Sequence, residues 1–212
     1  MISDRYDASD AAEGRFEPGS GDRVLCNLRG IVDPVEMERL EAAELARVLD
    51  ELIHEIGSDH RFTAADIRAM HARWLGGVYA WAGRYRSVNV GKDGFPFAAA
   101  YRIEGLMADL ETRVLARCTP CRPGGTEAVA AALAEVHDEL ILAHPFREGN
   151  GRISRLLATL MALQAGLPLL EFSRLTGPAR DGYLAAVQAG LDRNYRPMTA
   201  LFTEVISAAQ PA

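Results

Sequence analysis

His144, Glu148, Arg152 and Arg155 stand close together in the stretch His144-Pro145-Phe146-Arg147-Glu148-Gly149-Asn150-Gly151-Arg152, with Arg155 one helical turn further on. A histidine, a carboxylate and two guanidinium groups at this spacing are the parts of a phosphate-handling site. Leu140, Ile141 and Leu142 before the stretch, and Ile153, Leu156, Leu157 and Leu160 after it, recur at helical spacing. The stretch therefore reads as a loop between two helices. Pro145 pushes the residue before it out of the helical region, which ends the first helix. Gly149 and Gly151 permit a sharp turn, and Asn150 reads as the cap of the second helix. Such a loop feeds a helix N-terminus, where backbone donors and the helix dipole favour an anion.

Arg152 and Arg155 fall in the first turns of that second helix, where the dipole disfavours cations, and their i, i+3 spacing puts them on one face. Three anion-attracting elements then converge, which suits a polyphosphate better than a single carboxylate. Glu148 would repel those phosphates unless a divalent cation lay between them. Mg²⁺ commonly binds through one or two protein carboxylates plus phosphate oxygens. His144, at the other end of the loop, is then the general base for a hydroxyl that attacks the bound phosphate. On the residues alone this is a nucleotidyl- or phosphoryl-transfer site, with Phe146 as the core anchor of the loop.

The stretch HPFREGNGR followed by Arg155 resembles the core motif of the Fic (filamentation induced by cAMP) proteins, His-x-Phe-x-Asp/Glu-Gly-Asn-Gly/Lys-Arg-x-x-Arg, without a departure. The resemblance implies an all-α Fic fold of about seven helices with one β-hairpin flap over the active site. It also implies transfer of AMP from ATP and Mg²⁺ to a Tyr, Ser or Thr hydroxyl of a target protein. By that analogy His144 deprotonates the target, Glu148 holds Mg²⁺, and Gly149, Asn150, Gly151 and Arg152 cradle the α- and β-phosphates, with Arg155 reaching the γ-phosphate. The choice of AMP comes from the resemblance alone. Other groups, phosphate as in Doc-type relatives or UMP, stand as alternatives, as does a non-catalytic nucleotide-binding module. Phosphate-transferring relatives tend to carry lysine where Gly151 stands, which favours AMP here. Small Fic toxins suggest a type II topoisomerase as target and an antitoxin that supplies an inhibitory glutamate in trans.

The remaining chain must position these groups. It has 212 residues, 49% of them hydrophobic, which is enough for one substantial core and most simply a single domain over 23–212. A net charge of -6 argues against nucleic-acid binding driven by bulk charge. No apolar run approaches a membrane span and MISDRYDASD is no signal peptide, so a cytoplasmic protein with neither nucleic-acid nor membrane partners is expected. Cys26, Cys118 and Cys121 imply no disulfide framework. Residues 1–22, polar and rich in Gly and Asp, read as a flexible N-terminal arm. Within them Ser9, Glu13 and Gly14 fit Ser/Thr-x-x-x-Glu-Gly/Asn, which resembles the inhibitory motif whose glutamate pairs with the second motif arginine, Arg155.

Asp33-Pro34 opens a helix that runs to about Ile56 on the stripe Leu40, Leu45, Val48, Leu49 and Leu52. Thr63 caps the next, with Ile67, Met70, Trp74 and Leu75 on its apolar side. His71 reads as packed or surface rather than catalytic, and His137 as structural. Tyr79-Ala80-Trp81-Ala82-Gly83 resembles a second Fic signature. Ser87–Val90 and Phe95–Ala98, around a turn over Gly91–Gly94, read as the β-hairpin. The resemblance makes it the flap, with Gly94 and Phe95 docking the target by strand addition. Helices follow over 101–117, from Thr126 to the motif, and over about 178–192 and 197–208. Tyr183, on the first of the last two, reads equally as a residue approaching a nucleotide base or as a packed one.

Overall fold

Asp33 caps the first long helix, its side chain accepting the Val35 N–H at 3.0 Å, and Pro34 takes the first helical position. The computed structural model describes residues 11–92, 94–122, 124–172 and 180–209. In it α1 spans Pro34–Glu55, α2 Ala64–Leu75, α3 Ile103–Asp109, α4 Thr126–Ala143, α5 Asn150–Gln164, α6 Arg180–Ala189 and α7 Arg196–Ala209. Strands β1 (Gly91–Lys92) and β2 (Phe95–Pro96) pair antiparallel, Gly91 opposite Pro96 and Lys92 opposite Phe95. The fold of the described residues is all-α with one hairpin, as the sequence pattern predicts.

Local chemistry sets the ends. Thr63 accepts the Asp66 N–H while the Asp66 carboxylate accepts the Thr63 N–H, a reciprocal cap for α2. Gly166, at φ +78, ends the run after α5 in the left-handed conformation that glycine favours. α4 is the hub of the core. Its buried Val129, Ala130, Leu133, Ala134 and Leu140 pack it between α5 and α7. No helix among the described residues is long and apolar enough to cross a membrane. Cys118 and Cys121 are buried free thiols, and burial pushes the Cys121 thiol up to about 11, away from a reactive thiolate.

Three expectations differ from what forms. The helix read over 101–117 is graded: a 3₁₀ turn (Ala100–Arg102), α3, a π-helical run (Leu110–Leu115) and a last turn (Ala116–Cys118). The wider π turn brings Leu110 and Leu115, five apart, onto the buried side together. The hairpin is shorter than its apolar pattern. Its strands pair only at Gly91–Pro96 and Lys92–Phe95, and the Phe97 N–H reaches Val90 O at 3.0 Å; Asp93 lies outside the described residues. Residues 11–22 lie against the body rather than forming a loose arm. Phe16 bridges Leu25, Glu17 N–H donates to Val24 O at 2.8 Å, and Cys26 N–H donates to Arg15 O at 2.9 Å. Arg147 pins this strap from the motif itself, its Nε donating to Glu13 O at 3.0 Å. Backbone pairing and a distant arginine thus order a segment whose composition alone could not.

Candidate active site

The motif loop is built from both of its ends. His144 caps α4 at φ 46, ψ 58, a left-handed conformation rare outside glycine, with its N–H on Leu140 O at 3.0 Å. Phe146, fully buried, stacks on His71 with ring centroids 3.8 Å apart. Asn150 clasps the loop, its side chain accepting the Phe146 N–H at 2.9 Å and donating to Phe146 O at 2.8 Å. This corrects the reading of Asn150 as a cap. Gly149 holds the cap position, Asn150 is the first helical residue, and its side chain is engaged on Phe146. Gly149 is irreplaceable on two counts: φ is +83, and a Cβ there would stand 2.7 Å from Trp74 Cζ3. The first bonds of α5 run from the Arg152 and Ile153 N–H groups to Gly149 O. The amides of Asn150 and Gly151 precede them and belong to the N-terminal set that a helix leaves for an anion.

His144 holds one ring nitrogen free by fixing the other. Its Nδ1 lies 3.1 Å from Ile141 O, and a carbonyl only accepts, so Nδ1 carries the proton and Nε2 keeps its lone pair. The Phe97 ring stacks on the imidazole at 3.6 Å between centroids and 14° between planes. Burial lowers the His144 pKa to about 4, against the Ile141 hydrogen bond and with Arg86 adding to the fall. The ring is therefore neutral at pH 7.

His71 does comparable work one layer down. Gly83 N–H donates to its Nδ1 at 2.9 Å, so the proton sits on Nε2, which donates to Glu148 O at 3.1 Å. Read from the sequence as packed or surface, His71 is packed, fully buried, and ties α2 to the main chain of Glu148. The Glu148 side chain, 47% exposed, opens on the cleft. Its Oε1 accepts the Gly149 N–H at 2.9 Å and lies 3.5 Å from Arg152 Nη2. Desolvation raises its pKa, but Arg152, the Gly149 N–H and Arg147 outweigh that and hold it below the usual carboxylate range. A half-exposed, ionised carboxylate in this position fits Mg²⁺ held by one protein oxygen and phosphate oxygens.

The cleft has two lobes, of about 620 and 270 Å³, which share Glu38, Glu41, Lys92, His144, Glu148 and Gly151. The larger is walled by Arg152 and Arg155 of α5, by Phe95 and Phe97 of the hairpin, and by Tyr183, Leu184 and Val187 of α6. The structure thus brings His144, Glu148, Gly149, Gly151, Arg152 and Arg155 around one space, with the hairpin over it. Tyr183 stands on the wall of that lobe, its hydroxyl 2.9 Å from His137 Nε2. Phe95 faces the cleft, whereas Gly94 is at the turn, φ +79, with open space where a side chain would be. A Cβ on Gly151 would come within 3.4 Å of Arg155 Nη1.

Glu13 does not join this group. Its carboxylate accepts the Ser87 N–H and Oγ–H, each at 2.7 Å, so the expected contact with Arg155 is not made. Ser9 lies outside the described residues. Gly14 is buried in a 3₁₀ turn of the strap itself, not on an inhibitory helix. In exchange the structure brings in residues that the motif does not contain: Glu41, Trp74, Arg86 and Phe97. Glu41 had a signal, since it falls on the apolar face of α1 between Met37 and Leu45, where a carboxylate demands a partner. Phe97 had none beyond its strand.

A family model described as Fic/DOC matches residues 61–162. A protein adenylyltransferase of Bartonella schoenbuchensis is 33% identical over 150 residues, 71% of this chain and 30% of that protein, so the chain spans less than a third of that relative. A Sinorhizobium fredii protein named as a probable protein adenylyltransferase is 32% identical over 151 residues, 71% of this chain and 77% of that protein. Among solved structures, the N-terminal Fic domain of a VirB-translocated Bep effector protein from Bartonella quintana, with bound ADP, matches at a TM-score of 0.69 and 27% identity. That match covers 90% of this chain and 92% of the other.

Proposed function

The chain belongs to the Fic/DOC family, and we propose that it is a protein adenylyltransferase, moving AMP from ATP to a Tyr, Ser or Thr hydroxyl of a target protein. The observation that carries this reading is the tautomer of His144: a neutral ring with its free Nε2 beside a helix N-terminus flanked by two arginines. Nε2 takes the proton of the target hydroxyl. The oxygen attacks the α-phosphorus, the bond from that phosphorus to the oxygen bridging to the β-phosphate breaks, and pyrophosphate leaves. The amides of Asn150 and Gly151 and the guanidinium of Arg152 face the charge that builds on the α- and β-phosphates, and Arg155 takes the outermost phosphate.

Glu148 would hold Mg²⁺, which offsets phosphate charge when bound. The larger lobe, walled by Leu184 and Val187, receives the nucleoside, and the hairpin lays the target segment across His144. Gly151 supports AMP over phosphate transfer, because the space that a longer side chain would fill beside Arg155 stays open to the outer phosphates. With Glu13 committed to Ser87, inhibition falls to a partner that brings a glutamate to Arg155, which accords with a toxin and its antitoxin.

His144→Ala is expected to abolish transfer of label from ATP labelled at the α-phosphate while nucleotide affinity, read by calorimetry, stays near that of the native protein. Affinity that drops in step with transfer would remove His144 from the role of base.

A further inference from the structure

The first motif arginine is held from outside the motif. Arg152 Nη1 donates to Glu41 Oε2 at 2.6 Å, and Glu41 is buried, 5% exposed. The other carboxylate oxygen accepts the Tyr79 hydroxyl at 2.7 Å, and the main-chain oxygen of Glu41 accepts the Trp74 Nε1–H at 2.8 Å. The Trp74 ring lies under the Arg152 guanidinium, 4.8 Å from centroid to Cζ, and also fills the space beside Gly149. Glu41 borders both lobes of the cleft.

A buried ion pair adds little net stability, because desolvating both charges cancels most of their attraction. What it does add is direction. A guanidinium has five donors in a fixed plane, so fixing one nitrogen from below, and the face from beneath, fixes where the rest point. Glu41 is also no removable lock. A carboxylate that competed with phosphate and then withdrew would need to leave its partners, whereas both oxygens and the main chain of Glu41 are engaged, by Arg152 of α5, Tyr79 and Trp74 of α2.

We propose that Glu41 is a positioning residue of this site: through Arg152 it sets the donor geometry that meets the phosphates as pyrophosphate leaves. The inference rests on the adenylyl-transfer reading above.

The test is a double-mutant cycle with Arg152→Ala, measuring kcat and KM for ATP in AMP transfer and, separately, ADP affinity by calorimetry. Glu41→Ala is expected to lower kcat about thirtyfold while KM for ATP and the Kd for ADP rise only about threefold, the split expected of lost alignment. Glu41→Gln keeps the shape and an acceptor oxygen, and should recover to within about fivefold of the native rate. It serves where the alanine variant fails to fold. Both losses should vanish in the Arg152→Ala background. The proposal is overturned if the Glu41 variants are as fast as or faster than the native protein, or if their losses persist undiminished without Arg152. Should the native protein transfer no AMP, the functional reading fails, and the ADP cycle still decides. A loss of ADP affinity seen where Arg152 is native and absent in Arg152→Ala supports Glu41, and one equal in both backgrounds sinks it.

Discussion

Gly149 shows how tightly single residues are specified in the motif. Its positive φ costs an L side chain about 1–3 kcal/mol, and a Cβ pressed against Trp74 adds overpacking of about 1–3 kcal/mol. Gly149→Ala is therefore expected to lower unfolding free energy by about 2–6 kcal/mol, read from urea midpoints, and to cut transfer as the helix N-terminus shifts. A stability unchanged from native would contradict the account of Trp74 as the wall behind the loop. At this scale the motif was legible because its residues serve each other within one short window: Asn150 clasps Phe146, and Glu148 accepts the Gly149 N–H. Its supports were not. Glu41 meets Arg152 from 111 positions away and His71 meets Glu148 from 77, and no local periodicity encodes such pairings.

Among the elements, the hairpin and the end of α4 are joined by one buried side chain. Arg86, 2% exposed, donates from Nε to His144 O at 2.7 Å, from Nη1 to Val88 O at 2.6 Å and from Nη2 to Ala98 O at 2.5 Å. Its own N–H reaches Pro145 O at 2.9 Å. Both roots of the hairpin are thus tied to His144. An isolated two-stranded hairpin is marginal in water, and this tie together with the Phe97–His144 stack supplies what the strands lack. Arg86→Gln is expected to speed amide hydrogen exchange at Phe97, whose N–H closes the hairpin on Val90, well before α4 is affected. It should also cost about 2–4 kcal/mol of stability as charged hydrogen bonds are lost. Exchange that rises equally in hairpin and helix would mean that Arg86 serves the fold alone. The sequence announced the hairpin through its glycines and alternation, but not its short pairing, which follows from the anchoring of its roots.

For the whole molecule, burial of ionisable groups sets opposing responses to pH. Burial lowers His71 and His144 to about 4 and His137 to about 3, from 6.5. Their unfolded forms take up protons first as pH falls, so stability is lost on the way down from about pH 6.5. Asp138 acts the other way. Both its carboxylate oxygens are buried without a hydrogen-bond partner among the described residues, Gly190 packs against it, and desolvation, with Glu139 beside it, raises its pKa from 3.8 to about 8. The folded state then keeps a proton that the unfolded chain has released, so stability falls as pH rises from about 4 toward about 8. Asp138→Asn removes that dependence. Its Tm should exceed the native value by several degrees near pH 8 and by much less near about pH 4.5, read by scanning calorimetry. A gap that does not change with pH would contradict a protonated Asp138. The helical class and the cap of α1 could be read from sequence at this scale, whereas the burial of Asp138 is a property of the assembled α4–α7 core and has no local sign.

The central claim, that this cleft transfers AMP, is tested most directly with the purified protein, Mg²⁺, a bacterial lysate, and ATP labelled in parallel at the α- or the γ-phosphate. The expected result is a protein band labelled only from α-labelled ATP, and no band with His144→Ala. Label that arrives only from the γ-phosphate would contradict the account, making the protein a phosphate-transferring relative despite its Gly151.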